Sequence, residues 1–164
     1  MKTLLIALRA AVFMSGFVLL WFWIAQGIRV CDRAAGVMLP SWVRWPGIAC
    51  LVVGGMLALS CGVVFVARGR GTPALFDAPR EFVATGPYKY ARNPMYIGGS
   101  AMLIGLGLYQ HSISILLLSA PVFLLFRLVV VHIEEPALRK KFGAAYQEYC
   151  GSVPRWIPRR REVR

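Results

Sequence analysis

Histidine and acid are scarce in this chain of 164 residues: two His and seven Asp or Glu stand against nineteen Lys and Arg. Four cysteines, at 31, 50, 61 and 150, show no Cys-x-x-Cys or other metal-binding spacing. Cys50 and Cys61 lie in an apolar run, where cysteine behaves as a small hydrophobe. With so few ligand-type side chains, a zinc or haem site has little to build on. We expect neither a metal site nor a disulfide. Internal repeats and low-complexity segments are also missing.

Long apolar runs are what the chain does have. It is 58% hydrophobic, above the usual share for a soluble domain. Leu4–Ala25 is interrupted only by Arg9, and Gly47–Ala67 carries no charge. Each is long enough for a bilayer core, which takes about 20 apolar residues. A third region, Tyr96–Val131, holds one charge, Arg127, and a polar break at Gln110-His111-Ser112. Its pattern predicts a helical hairpin whose first arm is only about 22 Å long at 1.5 Å per residue. The expectation is an all-α integral membrane protein of one domain with about four transmembrane helices, near 4–25, 47–67, 96–110 and 113–131. Lys2 ahead of the first run resembles a signal peptide, but Arg9 and the lack of a small-x-small site favour an uncleaved span.

A net charge of +12 would point to nucleic acid in a soluble protein; its distribution here points elsewhere. With four spans, Lys2, the 68–95 loop and the segment after Val131 share one side, and that side carries fourteen of the nineteen cations. This is the positive-inside pattern. It makes the termini, the loop at 68–95 and the segment at 132–164 cytoplasmic, and we expect a bacterial inner membrane rather than the endoplasmic reticulum. We expect no nucleic-acid partner. The tail "RWIPRRREVR" is expected to meet anionic headgroups, and Trp42 and Trp45 to anchor at the opposite interface.

The 68–95 loop exceeds the length of an ordinary connection. It carries apolar anchors (Leu75, Phe76, Phe82, Val83, Tyr88, Tyr90), with corners at Thr72-Pro73 and Ala78-Pro79 and a turn at Gly86-Pro87. Beyond the last span, Pro136 suits the first turn of a new helix. Leu138, Phe142, Ala145, Tyr146 and Tyr149 then recur on one face. That predicts a cytosolic amphipathic C-terminal helix lying on the membrane or on the protein's own cytosolic face.

A hairpin turning near His111 puts Arg92 level with about Val130 and Tyr88 with about Glu134. The entry "GPYKYARNPMYIGG" (86–99) and the exit "HIEEP" (132–136) therefore share one cytosolic rim, with Arg92, Asn93 and Tyr96 in reach of Glu134 and Glu135. Such a pocket suits a zwitterion. These stretches, with "EEPALRKKFGAAYQEYCGSVPRWIP", resemble the isoprenylcysteine carboxyl methyltransferase and phosphatidylethanolamine N-methyltransferase superfamily over roughly residues 70–158. Its pattern is Arg-His-Pro-x-Tyr-x-Gly, an apolar hairpin, a Glu pair, Phe-Gly-x-x-Tyr-x-x-Tyr and a Val-Pro tail. Asn93 stands where many members have His. "NPMY" and "EEP" resemble the phospholipid enzymes; "FGAAYQEYCGSVP" resembles the prenylcysteine ones.

The resemblance implies S-adenosylmethionine as methyl donor and a lipid or other lipophilic acceptor, either a prenylcysteine-type carboxylate or a phospholipid-type amine. It implies catalytic roles for Arg92, Asn93, Tyr96 and Glu134. Donor contacts are implied for Tyr88, Pro94, Tyr96, Gly98, Gly99, Met102, Glu134 and Glu135. Glu135, with Glu134 beside it, suits the donor's amino group; Arg92 suits a carboxylate of donor or acceptor. Tyr88 and Tyr96 offer faces to adenine or sulfonium, and Gly98-Gly99 permit close approach. A neutral amine would need a proton route, through Glu134 or Tyr146. Simpler readings stand beside these: Arg92 as a positive-inside anchor, the Glu pair as a solvated helix end, and Gly98, Ala101 and Gly105 as a packing seam. Arg127 reads first as a snorkelling side chain. Two other functions fit parts of the pattern, an NADPH-dependent sterol-reductase-like enzyme and a non-catalytic membrane scaffold or lipid-binding protein.

Overall fold

In a bilayer, backbone polar groups that have no water must bond within their own segment, so apolar runs of this length become helices. The computed structural model describes residues 2–36, 39–69 and 81–157, and every regular element among them is helical. Helix α1 is Lys2–Ile28, α2 Val30–Ala35, α3 Arg44–Val64, α4 Pro94–Tyr109, α5 Ile113–Val129 and α6 Glu135–Ser152. Single 3-10 turns lie at Ser41–Val43 and Gly86–Lys89; π-helical turns extend α3 over Phe65–Gly69 and join α5 to α6 over Val130–Glu134. The anchors Leu75 and Phe76, the two proline corners at 72–73 and 78–79, and the basic end of the tail lie outside the described residues.

Among the described residues, three stretches are long and apolar enough to cross a membrane: Leu4–Asp32, Ser41–Gly69 and Ile113–Ser152. The expected third span, α4, is apolar but has only 16 residues, about 24 Å at 1.5 Å each. Of the four expected spans, the first, second and fourth thus correspond to helices long enough to cross, and the third to a shorter apolar helix. Both ends of α4 are set locally. Pro94 occupies its first turn, where its missing N–H costs nothing. At the other end His111 adopts a left-handed φ of 55°, with Ser112 N–H bonded to Gly107 O (2.8 Å) and His111 N–H to Leu108 O (3.2 Å). This is a Schellman cap with histidine in the place glycine usually takes.

Helix α4 lies against α3 along a glycine seam. A Cβ on Gly54 would come within 2.6 Å of Gly98 O, and one on Gly105 within 2.8 Å of Gly47 O. Backbones this close need residues without side chains, and the spacing of seven on both helices keeps the glycines in register. By contrast, α1 is mostly exposed along its length, as a lipid-facing helix is. It touches the bundle through Met14 at Gly62, through Phe17 and Trp21 on Phe126 (ring centroids 6.0 and 5.9 Å), and through Gln26 Nε2 on Gln110 Oε1 (3.1 Å).

Beyond α5 the chain runs through the π turn into α6, and Pro136 sits in the first turn of α6 as expected. Tyr146, Tyr149 and Val153 are buried with Phe82, Ala84, Leu138 and Phe142, so the apolar face of α6 is covered by residues 82–84 of the protein. Ala145, expected on that face, is exposed. Gly143 explains this: its φ of 52° and ψ of −125° break the helix there, a conformation essentially confined to glycine.

Candidate functional site

The rim is assembled by the α4 start, the π turn and the chain after α6. A π turn adds a residue to one turn of helix and shifts the phase of the residues beyond it. Glu134 and Glu135 here serve two different partners. Tyr96, whose ring packs on Phe126 at 4.9 Å, donates its phenolic O–H to Glu134 Oε1. Glu135, only 4% exposed, accepts from Arg155 on both oxygens: Nε to Oε1 at 2.7 Å and Nη2 to Oε2 at 2.9 Å. Arg92 Nη1 lies 3.1 Å from the same Oε1, and Arg139 Nη2 is 4.0 Å from Oε2. A buried carboxylate is tolerable only when paired in this way. The bidentate fork is the strongest such arrangement, and it holds the Arg155 guanidinium even further above its ordinary pKa.

Further bonds tie the same turn to the tail. Arg92 N–H donates to Pro154 O (2.9 Å), Asn93 Nδ2 to Arg155 O (3.1 Å) and Arg92 Nη1 to Cys150 Sγ (2.8 Å). Tyr149 O–H donates to Tyr88 O (2.7 Å). Tyr88 is itself buried, edge-on to Phe65 at 5.3 Å, and burial pushes its phenol well above the usual tyrosine range, keeping it neutral. Arg92 has 12% of its side chain exposed, and its Nε is buried without a hydrogen-bond partner.

A cavity of about 560 Å³ opens from this rim into the helices. Arg92, Asn93, Tyr96, Glu134 and Glu135 line its polar end, while Phe13, Phe17 and Trp21 of α1 and Val122 and Phe126 of α5 wall the rest. Of the residues singled out in the sequence, Tyr88, Arg92, Asn93, Tyr96, Gly99, Met102, Glu134 and Glu135 all line it. Pro94 and Gly98 do not: Pro94 is buried at the start of α4, and Gly98 meets Gly54 in the seam. A Cβ on Gly99 would meet nothing within 4 Å, and Gly99 lines the cavity. Glu135 lines the cavity with both of its oxygens held by arginines. Sequence reasoning missed Arg155, which looked like one more cation of a basic tail, and the α1 wall, whose aromatics carry no motif. Among the described residues, no group of three or more His, Cys, Asp or Glu is placed to hold a metal ion.

The phospholipid methyltransferase family matches residues 42–145. Two curated relatives are similar over most of this chain. The nickel-cobalt-cadmium resistance protein NccN of Alcaligenes xylosoxydans xylosoxydans is 33% identical over 118 residues, 70% of this chain and 53% of the relative. The cobalt-zinc-cadmium resistance protein CzcN of Cupriavidus metallidurans is 30% identical over 122 residues, 71% and 54%. The chain spans about half the length of these relatives. The matched segment contains the glycine seam, the α4–α5 hairpin, the Arg92–Tyr96 rim and both glutamates, so the chain belongs to the phospholipid methyltransferase family, a family of membrane methyltransferases.

Proposed function

We propose that the protein transfers a methyl group from S-adenosylmethionine to a lipophilic acceptor drawn from the bilayer. The acceptor nucleophile is a carboxylate oxygen or an amine nitrogen. One observation carries this reading: the same cavity joins a zwitterion-matched polar end to walls apolar enough for a lipid chain. In this reading α4 is the short fourth crossing. The loop ahead of it, the segment after α5 and both termini face the cytosol of a bacterial inner membrane, where the donor is dissolved.

The chain's own groups fit the donor. Arg92 keeps an unsatisfied N–H at the polar end, suited to a carboxylate, and Gly99 leaves room beside it. The donor, when bound, supplies an electrophilic methyl on a sulfonium. Glu134 is the carboxylate for the ammonium, because Glu135 is paired with Arg92 and Arg155. Tyr96 orients Glu134 through its O–H, Tyr88 offers an aromatic face, and Met102 and Gly99 shape the wall. Asn93 holds the Arg155 carbonyl and so keeps the polar end closed. With an amine acceptor, Glu134 also provides the proton route. Alignment of the reactants at about 3–3.5 Å supplies most of the rate in such a displacement.

The test is incubation of the purified protein with methyl-labelled donor and total membrane lipid, followed by extraction. Label in the lipid phase is expected, and its absence with every acceptor pool overturns the reading. NADPH oxidation with a sterol would overturn it in favour of a reductase.

A further inference from the structure

Resting on the donor reading, we propose that Arg155 is a positioning residue that keeps Arg92 free for the donor's carboxylate by saturating Glu135. The family-matched segment ends at residue 145, so the chain that reaches back to the rim, 153–156, lies outside it. That chain is nevertheless built into the site. Val153 is buried with Tyr146 and Tyr149, and Pro154 O accepts the Arg92 N–H. The Arg155 carbonyl accepts from Asn93, and Trp156 packs on Phe123 of α5 at 5.0 Å.

Glu135 offers two oxygens to two guanidinium groups, and the distances show which one dominates. Arg155 takes both oxygens, at 2.7 and 2.9 Å, whereas Arg92 is left one contact at 3.1 Å. Arg92 consequently has a bond to Cys150 Sγ and an Nε with none. Without Arg155, the paired geometry would pass to Arg92, since a planar guanidinium takes a bidentate carboxylate whenever one is available. Arg92 would then turn onto Glu135, away from a ligand in the cavity. Arg155 touches neither donor nor acceptor in this scheme; it acts through Glu135.

The test is S-adenosylmethionine affinity by titration calorimetry on the full chain in detergent, with thermal unfolding measured alongside. For Arg155→Ala the dissociation constant should rise about 10-fold, the effect of one charge-assisted hydrogen bond lost. Arg155→Lys, with one contact in place of two, should fall between. In a Glu135→Gln background, Arg155→Ala should change the affinity less than about twofold, because both residues act on Arg92 by one route. In turnover, the donor KM should rise while kcat stays within about twofold. Unchanged affinity in folded Arg155→Ala, or full additivity with Glu135→Gln, overturns the proposal and leaves Arg155 as a tether for the tail. If Arg155→Ala does not fold, Arg155→Lys decides by the same affinity criterion. Wild-type protein that binds no S-adenosylmethionine removes the donor reading itself, a result distinct from a wild type that binds and a variant that binds equally well.

Discussion

The α4–α5 hairpin ends in two polar clusters of opposite character. At the rim, Arg92, Glu134, Glu135 and Arg155 gather charge beside a cavity, and one N–H of Arg92 is left without a partner. At the far end, Gln26, Asp32, Gln110, Ser112 and Ser114 close on each other. Asp32 Oδ1 accepts the Ser114 N–H at 2.9 Å, Ser112 Oγ accepts the Ile115 N–H at 3.2 Å, and Gln26 bonds Gln110 at 3.1 Å. The far cluster satisfies the first N–H groups of α5, which every helix start must do. The rim cluster holds more charge than its own helix ends require. In the proposed reading, the unanswered Arg92 N–H beside the cavity is what sets the rim apart as the end that serves chemistry.

Substitutions at the two ends should therefore separate activity from stability. The largest effect is expected for Glu134→Gln, which keeps an acceptor for the Tyr96 O–H but removes the charge. Labelled methyl transfer should fall about 100-fold with the melting temperature held; near-wild-type turnover would move the functional carboxylate elsewhere. Next comes Gly98→Ala in the seam, where a Cβ would sit 2.8 Å from Gly54 O. We expect a loss of about 1–3 kcal/mol in stability from overpacking, read by thermal unfolding. Gly99→Ala, one residue on, should leave stability within about 0.5 kcal/mol and weaken donor binding instead; equal destabilisation of the pair would contradict the seam. Asp32→Ala should cost about 1 kcal/mol as a lost cap with donor affinity unchanged, and a matching fall in affinity would join the two ends functionally. The smallest change is His111→Gly. Relief of a left-handed φ should stabilise the hairpin by about 0.5–1 kcal/mol, and a lower melting temperature would show that the imidazole is needed there.

Much of the fold was legible from periodicity and motif. The apolar runs became helices, the break at 110–112 became the hairpin turn, and "ARNPMY" and "EEP" meet at one rim because a hairpin of nearly equal arms returns its ends together. Gly98 was legible as seam or cofactor surface, and only the position of Gly54 resolves which. The short α4 was visible as a short arm, but its true start at Pro94 and its Schellman cap depend on hydrogen bonds that no residue announces singly. Arg155 illustrates the limit. In sequence it is one of several cations near the end of the chain; in the folded protein its guanidinium holds both oxygens of Glu135.

From the sequence alone came the apolar helices and the residue types of the rim, because helix periodicity and membrane partition act over short stretches of chain. The tertiary structure decided which glutamate is held by arginines and which meets Tyr96, and that α1 supplies part of the cavity wall. Those outcomes depend on distances of a few ångströms between residues far apart in the chain, where hydrogen-bond geometry rather than local composition chooses the partner.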